Sequence, residues 1–117
     1  MRRAPFAILA LLALAACGSA LADARSDFKH GRYPEAREEL VRLEPESRTW
    51  DERRRAEYAL YRGLTHNALG DRAAAGVWLK EAQAIEDARP GTLAEDDRVR
   101  LRLGLESVGP DTAPPSP

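Results

Sequence analysis

The sequence predicts an all-α protein built from short antiparallel helices. Apolar residues recur every three or four positions along most of the chain, which is the period of an amphipathic helix. Glycine and proline interrupt this pattern at residues 31–34 (GRYP) and 90–91 (PG), where one helix is expected to end and the next to begin. With 117 residues, the chain is long enough for one small domain with a modest core.

Residues 1–16 are predicted to be a signal peptide that is not part of the fold. Arg2 and Arg3 form a positive start, and residues 6–16 are an almost unbroken apolar run. This run is shorter than the ~20 residues that span a bilayer, and its flanks are those of a secretory signal.

Two cleavage sites follow the apolar run. Residues 14–17, Leu-Ala-Ala-Cys, resemble the lipobox of bacterial lipoproteins, in which a peptidase cuts just before a cysteine that carries lipid. Residues 20–22 form an ordinary A-x-A site, and a cut after Ala22 would release a free periplasmic or secreted protein. We favour the cut before Cys17, because Cys17 is the only cysteine of the chain and lipidation explains a lone exported cysteine.

The predicted cellular location and the net charge also limit the kinds of partner. No Asp directly follows Cys17, so the resemblance to lipoproteins implies an outer-membrane anchor that faces the periplasm of a Gram-negative organism. Removal of Arg2 and Arg3 with the signal peptide changes the formal net charge from −1 to about −3. An acidic domain gives no electrostatic support for nucleic-acid binding.

The first two helices are expected on either side of residues 31–34. Pro34 suits the first turn of the second helix, which should end near Glu44-Pro45. The apolar face of the first helix is Leu21, Ala24 and Phe28, and that of the second is Ala36, Leu40 and Leu43.

The spacing of polar residues predicts where the next helices begin. Thr49 with Glu52, and Thr92 with Glu95, have the spacing of a capping box, and Asp71 can cap the helix between them. The expected buried stripe of the third helix is Ala56, Leu60, Leu64 and Ala68, and that of the fourth is Ala74, Val77, Trp78, Ala82 and Ile85.

Residues 98–105 fit two periods. Their alternation of apolar and charged residues is typical of a strand, whereas Leu101, Leu105 and Val108 lie on one helical face. We favour a helix, because a single strand in this chain would have no partner. Residues 109–117 (GPDTAPPSP) are a proline-rich tail, for which the composition predicts disorder.

Two segments of the chain are alike at an offset of 39 residues. FKHGRYPEAREELVRL (28–43) and NALGDRAAAGVWLKEA (67–82) align Gly31 with Gly70, Ala36 with Ala75 and Leu40 with Leu79. Here the sequence resembles the tetratricopeptide repeat (TPR), a helix–turn–helix unit. Leu103-Gly104 is similar to the Leu-Gly pair of a TPR first helix. Arg62 departs from the pattern, since it stands where the second repeat should carry leucine.

The resemblance implies a short solenoid over residues 17–108, with about two repeats and a capping helix; a plain helical bundle is the alternative. In a solenoid, small residues let neighbouring helices approach closely. The residues expected to do so are Gly31, Ala36, Gly63, Gly70, Ala75, Ala82 and Gly104.

No motif of a catalytic, metal or cofactor site is present. The sequence lacks a Gly-rich phosphate loop, a G-x-S-x-G turn and an H-E-x-x-H motif. His30 and His66 have no ligand-type partner at helical spacing, and His66 is expected to be partly exposed or to contact the groove described next. We therefore expect a protein that is not an enzyme and has no cofactor.

The resemblance to TPR proteins implies a concave groove, lined by the first helices of the repeats, that binds a peptide. Its expected lining combines cations with an aromatic ring and an amide, and could hold an acidic segment or a C-terminal carboxylate. The alternative is that these are ordinary surface arginines around half-buried aromatic residues. The lining residues are Arg25, Phe28, Lys29, Tyr61, Leu64, Asn67, Arg98 and Arg102.

The function expected is that of a membrane-anchored protein–protein interaction module, lipidated at Cys17. By resemblance to other TPR lipoproteins, it would be an accessory of an envelope machine for secretion, pilus assembly or motility. The alternative is a free periplasmic or secreted helical domain, cut after Ala22, with a structural or self-associating role. A non-catalytic contact with the cell wall is a third, weaker reading, and the oligomeric state stays open.

Overall fold

The computed structural model describes residues 20–110. In that part of the chain there are five α-helices and no β-strand. Helix α1 occupies residues 20–29, α2 Tyr33–Ser47, α3 Glu52–Ala68, α4 Arg72–Ala88 and α5 Glu95–Val108. The all-α prediction is confirmed, and residues 98–105 are helix. The predicted signal peptide, Cys17 and residues 111–117 of the tail lie outside the described residues.

Helix α3 lies at the centre of the domain. It packs against α2, α4 and α5, whereas α2 and α4 do not pack against each other. Leu21 and Ala24 of α1 also belong to the core. Because α3 has neighbours on most sides, it is buried almost all round, through Ala56, Tyr58, Ala59, Leu60, Tyr61, Gly63, Leu64, Thr65 and His66.

Two of the three predicted helix caps are wrong for the same reason. The hydroxyl of Thr49 donates to the Glu46 carbonyl, and that of Thr92 to the Arg89 carbonyl. Each threonine therefore closes the turn after the preceding helix, and the next helix begins three residues after it, at Glu52 and at Glu95. Asp51 caps α3, whereas no side chain caps α5. The third prediction is confirmed, because the Asp71 carboxylate accepts from the Ala74 N–H at 3.1 Å.

Helix α2 continues through Pro45 to Ser47, beyond its predicted end. Proline removes one backbone hydrogen bond, to the carbonyl four residues earlier. That residue is Val41, which is exposed, in the last turns of the helix. Ser47 is buried and its hydroxyl donates to the Glu44 carbonyl at 2.6 Å, so the final turn is held by a side chain.

The buried face of α4 differs from the predicted stripe. It consists of Ala75, Leu79, Ala82 and Glu86, so only Ala82 of the predicted stripe is fully buried. Val77 is 66 % exposed, which contradicts the prediction. Trp78 and Ile85 are half-buried, because they lie on the side of α4 that faces the gap left between α2 and α4.

Small residues allow the close helix contacts. A Cβ atom added to Gly63 would lie 2.7 Å from Leu79 Cγ, and one added to Gly104 would lie 2.9 Å from Leu64 Cδ2. Both glycines are therefore required at these contacts. The two aligned segments also have matching environments. The turn glycines, Gly31 and Gly70, have φ of +77° and +86°. The aligned alanines and leucines are all 0 % exposed, namely Ala36, Ala75, Leu40 and Leu79.

Candidate functional site

The residues predicted to line the inner groove do not share one surface. Leu64 is a core residue beside Gly104. Asn67 donates to the hydroxyl of Ser107 at 2.9 Å. Arg98 pairs across 3.7 Å with Glu86 of α4, on the other side of α5.

Arg102, one helical turn after Arg98, is exposed and shares its side of α5. The four remaining groove residues do come together. Arg25 and Lys29 lie over the Tyr61 ring, with 5.0 and 6.0 Å to its centroid, and Phe28 meets that ring edge-on at 5.7 Å. The residues predicted to line one groove therefore lie at separate places in the structure.

The first of these places is the Tyr61 cluster, formed by Arg25, Glu57, Tyr61, Asp97 and Arg100. Tyr61 is fully buried and its hydroxyl donates to Asp97 at 2.8 Å. Arg25 lies 3.4 Å from Glu57 and 3.8 Å from Asp97, and Arg100 lies 3.1 Å from Asp97. Burial, together with the Asp97 carboxylate, raises the pKa of Tyr61 to about 12.

The Tyr61 cluster occupies the surface on which the resemblance to TPR proteins predicts peptide binding. Arg25 belongs to α1 and Asp97 to α5, so their ion pair joins these two helices above the ring of Tyr61. The charge-assisted contacts expected for an acidic peptide are made here by Glu57 and Asp97 of the same chain. In this conformation the surface is a structural contact.

An open cleft lies on the other side of α3, between α2 and α4. Its volume is about 440 Å³, within the usual range of binding clefts. We call it the outer cleft. Its lining residues are Glu44, Ser47, Arg48, Arg55, Tyr58, Ala59, Val77, Trp78, Glu81 and Ile85.

Aromatic rings form the floor of the outer cleft. Tyr58 meets Trp78 edge-on with 5.5 Å between ring centroids, and meets Trp50 on its other side at 5.9 Å. The Tyr58 hydroxyl donates to the Leu40 carbonyl at 2.7 Å, which ties the floor to α2. The floor is therefore held by its own contacts before anything binds to it.

Arg62 contacts both Trp78 and Tyr58 of this floor. Its guanidinium lies 4.3 Å from the centroid of the Trp78 ring and is paired with Glu44 of α2. It also contacts the Tyr58 hydroxyl at 3.0 Å and His66 Nε2 at 3.3 Å. The hydrogen bond from Arg62, above all, lowers the pKa of Glu44. The departure from the repeat pattern thus places a cation between three helices.

His66 is buried, which corrects the expectation that it would be partly exposed. Only 8 % of the residue is accessible. Burial, followed by the charge of Arg62, lowers the pKa of His66. Its ring is a neutral partner of Arg62 in the core, away from the predicted groove.

The rim charges of the outer cleft occur in pairs, with 3.0 Å between Arg48 and Glu44 and 4.0 Å between Arg55 and Glu81. Between residues 20 and 110, no group of three His, Cys, Asp or Glu side chains could hold a metal ion. An aromatic floor with a paired, neutral rim suits an apolar segment of low charge.

Sequence reasoning missed the outer cleft, although two signals pointed to it. Val77, Trp78 and Ile85 make the apolar stripe of α4 wider than one neighbouring helix can cover. Arg62 replaces an expected leucine, which indicates a polar contact inside the domain. Neither signal was interpreted as a site, because a half-buried tryptophan in a helix is usually part of a core.

The comparisons with known proteins do not assign a family. No protein-family model matches the chain, and neither a curated protein nor a solved structure is significantly similar to it. Among the helices within residues 20–110, none is both long and apolar enough to cross a membrane. Function is therefore inferred from the residues themselves.

Proposed function

We propose that this chain is a lipid-anchored, TPR-like, non-catalytic module that binds another protein of the bacterial envelope. The anchor is Cys17, and the partner binds the outer cleft. The proposal keeps the predicted address on the periplasmic side of the outer membrane. The observation that carries it is the burial of Leu21, four residues after Cys17.

Leu21 supports cleavage before Cys17. It is 4 % exposed, and Ala20 also packs against the core. A cut after Ala22 would remove both residues, and the loss of a buried leucine side chain typically costs about 2–5 kcal/mol. That is a large share of the ~5–15 kcal/mol that stabilise a typical domain. Cleavage before Cys17 keeps the core whole and places the lipid four residues before the buried Leu21.

The TPR-like arrangement is supported by the matching environments of the two aligned segments. In each, a glycine with positive φ is followed by a fully buried alanine and a fully buried leucine. The left-handed conformation favours glycine, so the turns of both segments need the same residue. Two such units give a small platform, which suits an accessory that docks to a larger assembly.

Metabolic labelling with a palmitate analogue in a Gram-negative host tests the anchor. The C17A variant is expected to lose the label and to leave the membrane fraction. The matched control is A22R, which blocks the alternative site at an exposed position and is expected to change neither the labelling nor the cleavage position, so that the mature mass differs only by the substitution itself. Labelling that persists in C17A, or a shifted cleavage position in A22R, would contradict the proposal.

A photo-crosslinking amino acid at position 77 tests the use of the outer cleft. Val77 lines the cleft and is exposed, so the substitution leaves the core intact. We expect a protein adduct from position 77 in intact cells, and none from position 103, which is exposed on α5. Adducts from position 103 alone, or equally from both, would show that the partner does not select the outer cleft.

A further inference from the structure

We propose that residues 111–117 (DTAPPSP) of this chain bind the outer cleft and compete there with the partner. The inference rests on the proposed function, since it assigns an intramolecular competitor to the same site. It names the kind of ligand that the cleft takes, which is an extended proline-rich segment.

The C-terminal end of the described residues lies beside α4, which forms one side of the outer cleft. The Arg72 guanidinium donates to the Val108 carbonyl at 2.6 Å, which fixes the end of α5 against α4. Gly109 and Pro110 then line a surface depression together with Val77. Since Val77 also lines the outer cleft, the depression that holds Pro110 and the outer cleft adjoin α4 and share one of its residues.

The segment is long enough to cross the width of α4. Seven residues in the polyproline II conformation span about 22 Å, at ~3.1 Å each. A helix with its side chains is ~10–12 Å across. Residues 113–115 (Ala-Pro-Pro) lie three to five residues beyond Pro110, about 9–16 Å in this conformation, which is comparable with the width of α4 and brings them to the side of Trp78.

An exposed apolar side chain lies on this path. Val77 is 66 % exposed, more than any of Val41, Val99 and Leu103, the other large exposed apolar residues in the described part of the chain. A segment that passes from Pro110 to Trp78 covers Val77. Burial of its exposed apolar surface is favourable, so contact with Val77 stabilises a segment docked along this path.

The chemistry of the segment matches the cleft. Proline-rich segments bind grooves lined by aromatic residues, because their extended conformation is preset and little entropy is lost on binding. Trp78 supplies a half-buried ring of this kind, which packs edge-on against the buried ring of Tyr58. Asp111 is the only charged side chain of the segment. It directly follows Pro110, which lines a depression together with Arg72, and the uncharged remainder suits a rim whose charges are paired with each other.

Paramagnetic relaxation in the full chain without its signal peptide tests the docking. Ser116 is replaced by cysteine and spin-labelled, and Cys17→Ser removes the competing thiol. We expect strong broadening of the Trp78 indole N–H signal and none at the backbone amide of Leu103 on α5. Absence of broadening at Trp78, or equal broadening at both positions, would overturn the proposal.

Two variants of the labelled chain identify the contact. V77E is expected to lower the docking equilibrium constant about tenfold, since each ~1.4 kcal/mol changes it by that factor. V41E introduces the same charge at another exposed valine, outside the cleft, and is expected to change nothing. Equal effects of V77E and V41E would contradict a path over Val77. Circular dichroism melts are expected to show that both variants remain folded.

A mixed sample distinguishes docking within one chain from docking onto a second copy. When unlabelled, isotope-enriched protein is combined with spin-labelled protein, docking within one chain leaves the Trp78 signal of the enriched molecules sharp. Broadening of that signal would assign the cleft to the tail of another molecule and overturn the proposal. If docking fails but position 77 still forms its photo-adduct, the proposed function stands without the competitor. If only the photo-adduct is lost, the cleft binds the tail and the partner uses another surface.

Discussion

Single side chains decide which faces of this domain are closed. Arg62 stands where the repeat pattern has leucine, and its side chain is only 12 % exposed. A buried cation is stable only where its charge is paired and its donors are satisfied. Glu44, Tyr58, His66 and the face of Trp78 meet those needs. Arg62 therefore joins α2, α3 and α4 without filling the gap between α2 and α4.

His66 makes the stability of the domain depend on pH. Its pKa is lowered from the ordinary value of 6.5 in the folded chain, so below that value the unfolded chain binds more protons than the folded one. The free energy of unfolding therefore falls as the pH is lowered through this range. We expect chemical denaturation to show this fall as the pH is lowered from neutrality through 6.5, the ordinary pKa of histidine.

Histidine variants isolate this effect. H66Q is expected to flatten the pH dependence above about pH 5.5, whereas H30Q, at an exposed position, should retain it. The lowered pKa values of Glu44 and Glu86 act in a more acidic range, below about pH 5. A slope that persists in H66Q would show that another group is responsible.

At the scale of helices, the sequence predicts existence and type well and boundaries less well. The period of apolar residues and the glycine turns are local signals, and all five helices follow from them. The caps at Thr49 and Thr92 were misplaced because a hydroxyl that closes one helix and one that opens the next have the same spacing in the sequence. The buried face of α4 was wrong at Val77, because the pattern shows an apolar stripe but not which neighbours reach it.

Two glycines in helices give opposite predictions for the same substitution. G63A places a methyl group 2.7 Å from Leu79 Cγ in the core, and such overpacking typically costs ~1–3 kcal/mol. G76A adds a methyl group in α4 where no atom lies within 4 Å, so the better helix propensity of alanine should stabilise by ~0.5–1 kcal/mol. Urea denaturation of both variants measures the difference.

The stability changes expected for G63A and G76A have opposite signs, so a result that departs from this pattern can be interpreted. Destabilisation by both variants would indicate that the backbone of α4 needs glycine for a reason other than space. No effect of G63A would mean that α3 and α4 can move apart at low cost. That result would weaken the comparison with TPR pairs, in which small residues permit close helix contact.

At the scale of the whole molecule, contacts within the chain join α1, α3 and α5 on one side of the domain, whereas the outer cleft between α2 and α4 is open. The resemblance to TPR proteins predicts binding on the inner side, but Arg25 and Tyr61 are joined there to Asp97 of α5. This contact connects residues 72 positions apart in the sequence, which no local pattern reports. The sequence identified side chains with the right chemistry, but not the carboxylates of the same chain that pair with them.

The position of Leu21 links the fold to the predicted processing of the chain. A protein that begins at Asp23 lacks Leu21 and retains residues 23–29 of α1, about two helical turns. Its thermal midpoint is expected to lie at least ~10 °C below that of a protein that begins at Cys17, since ~2–5 kcal/mol is lost and each kcal/mol shifts the midpoint by ~4–8 °C. Circular dichroism measures both midpoints. In the longer chain, L21A should reproduce most of the loss, whereas A22S at the neighbouring exposed position should not. Equal midpoints for the two chains would remove the structural reason for cleavage before Cys17 and favour the free, unlipidated domain.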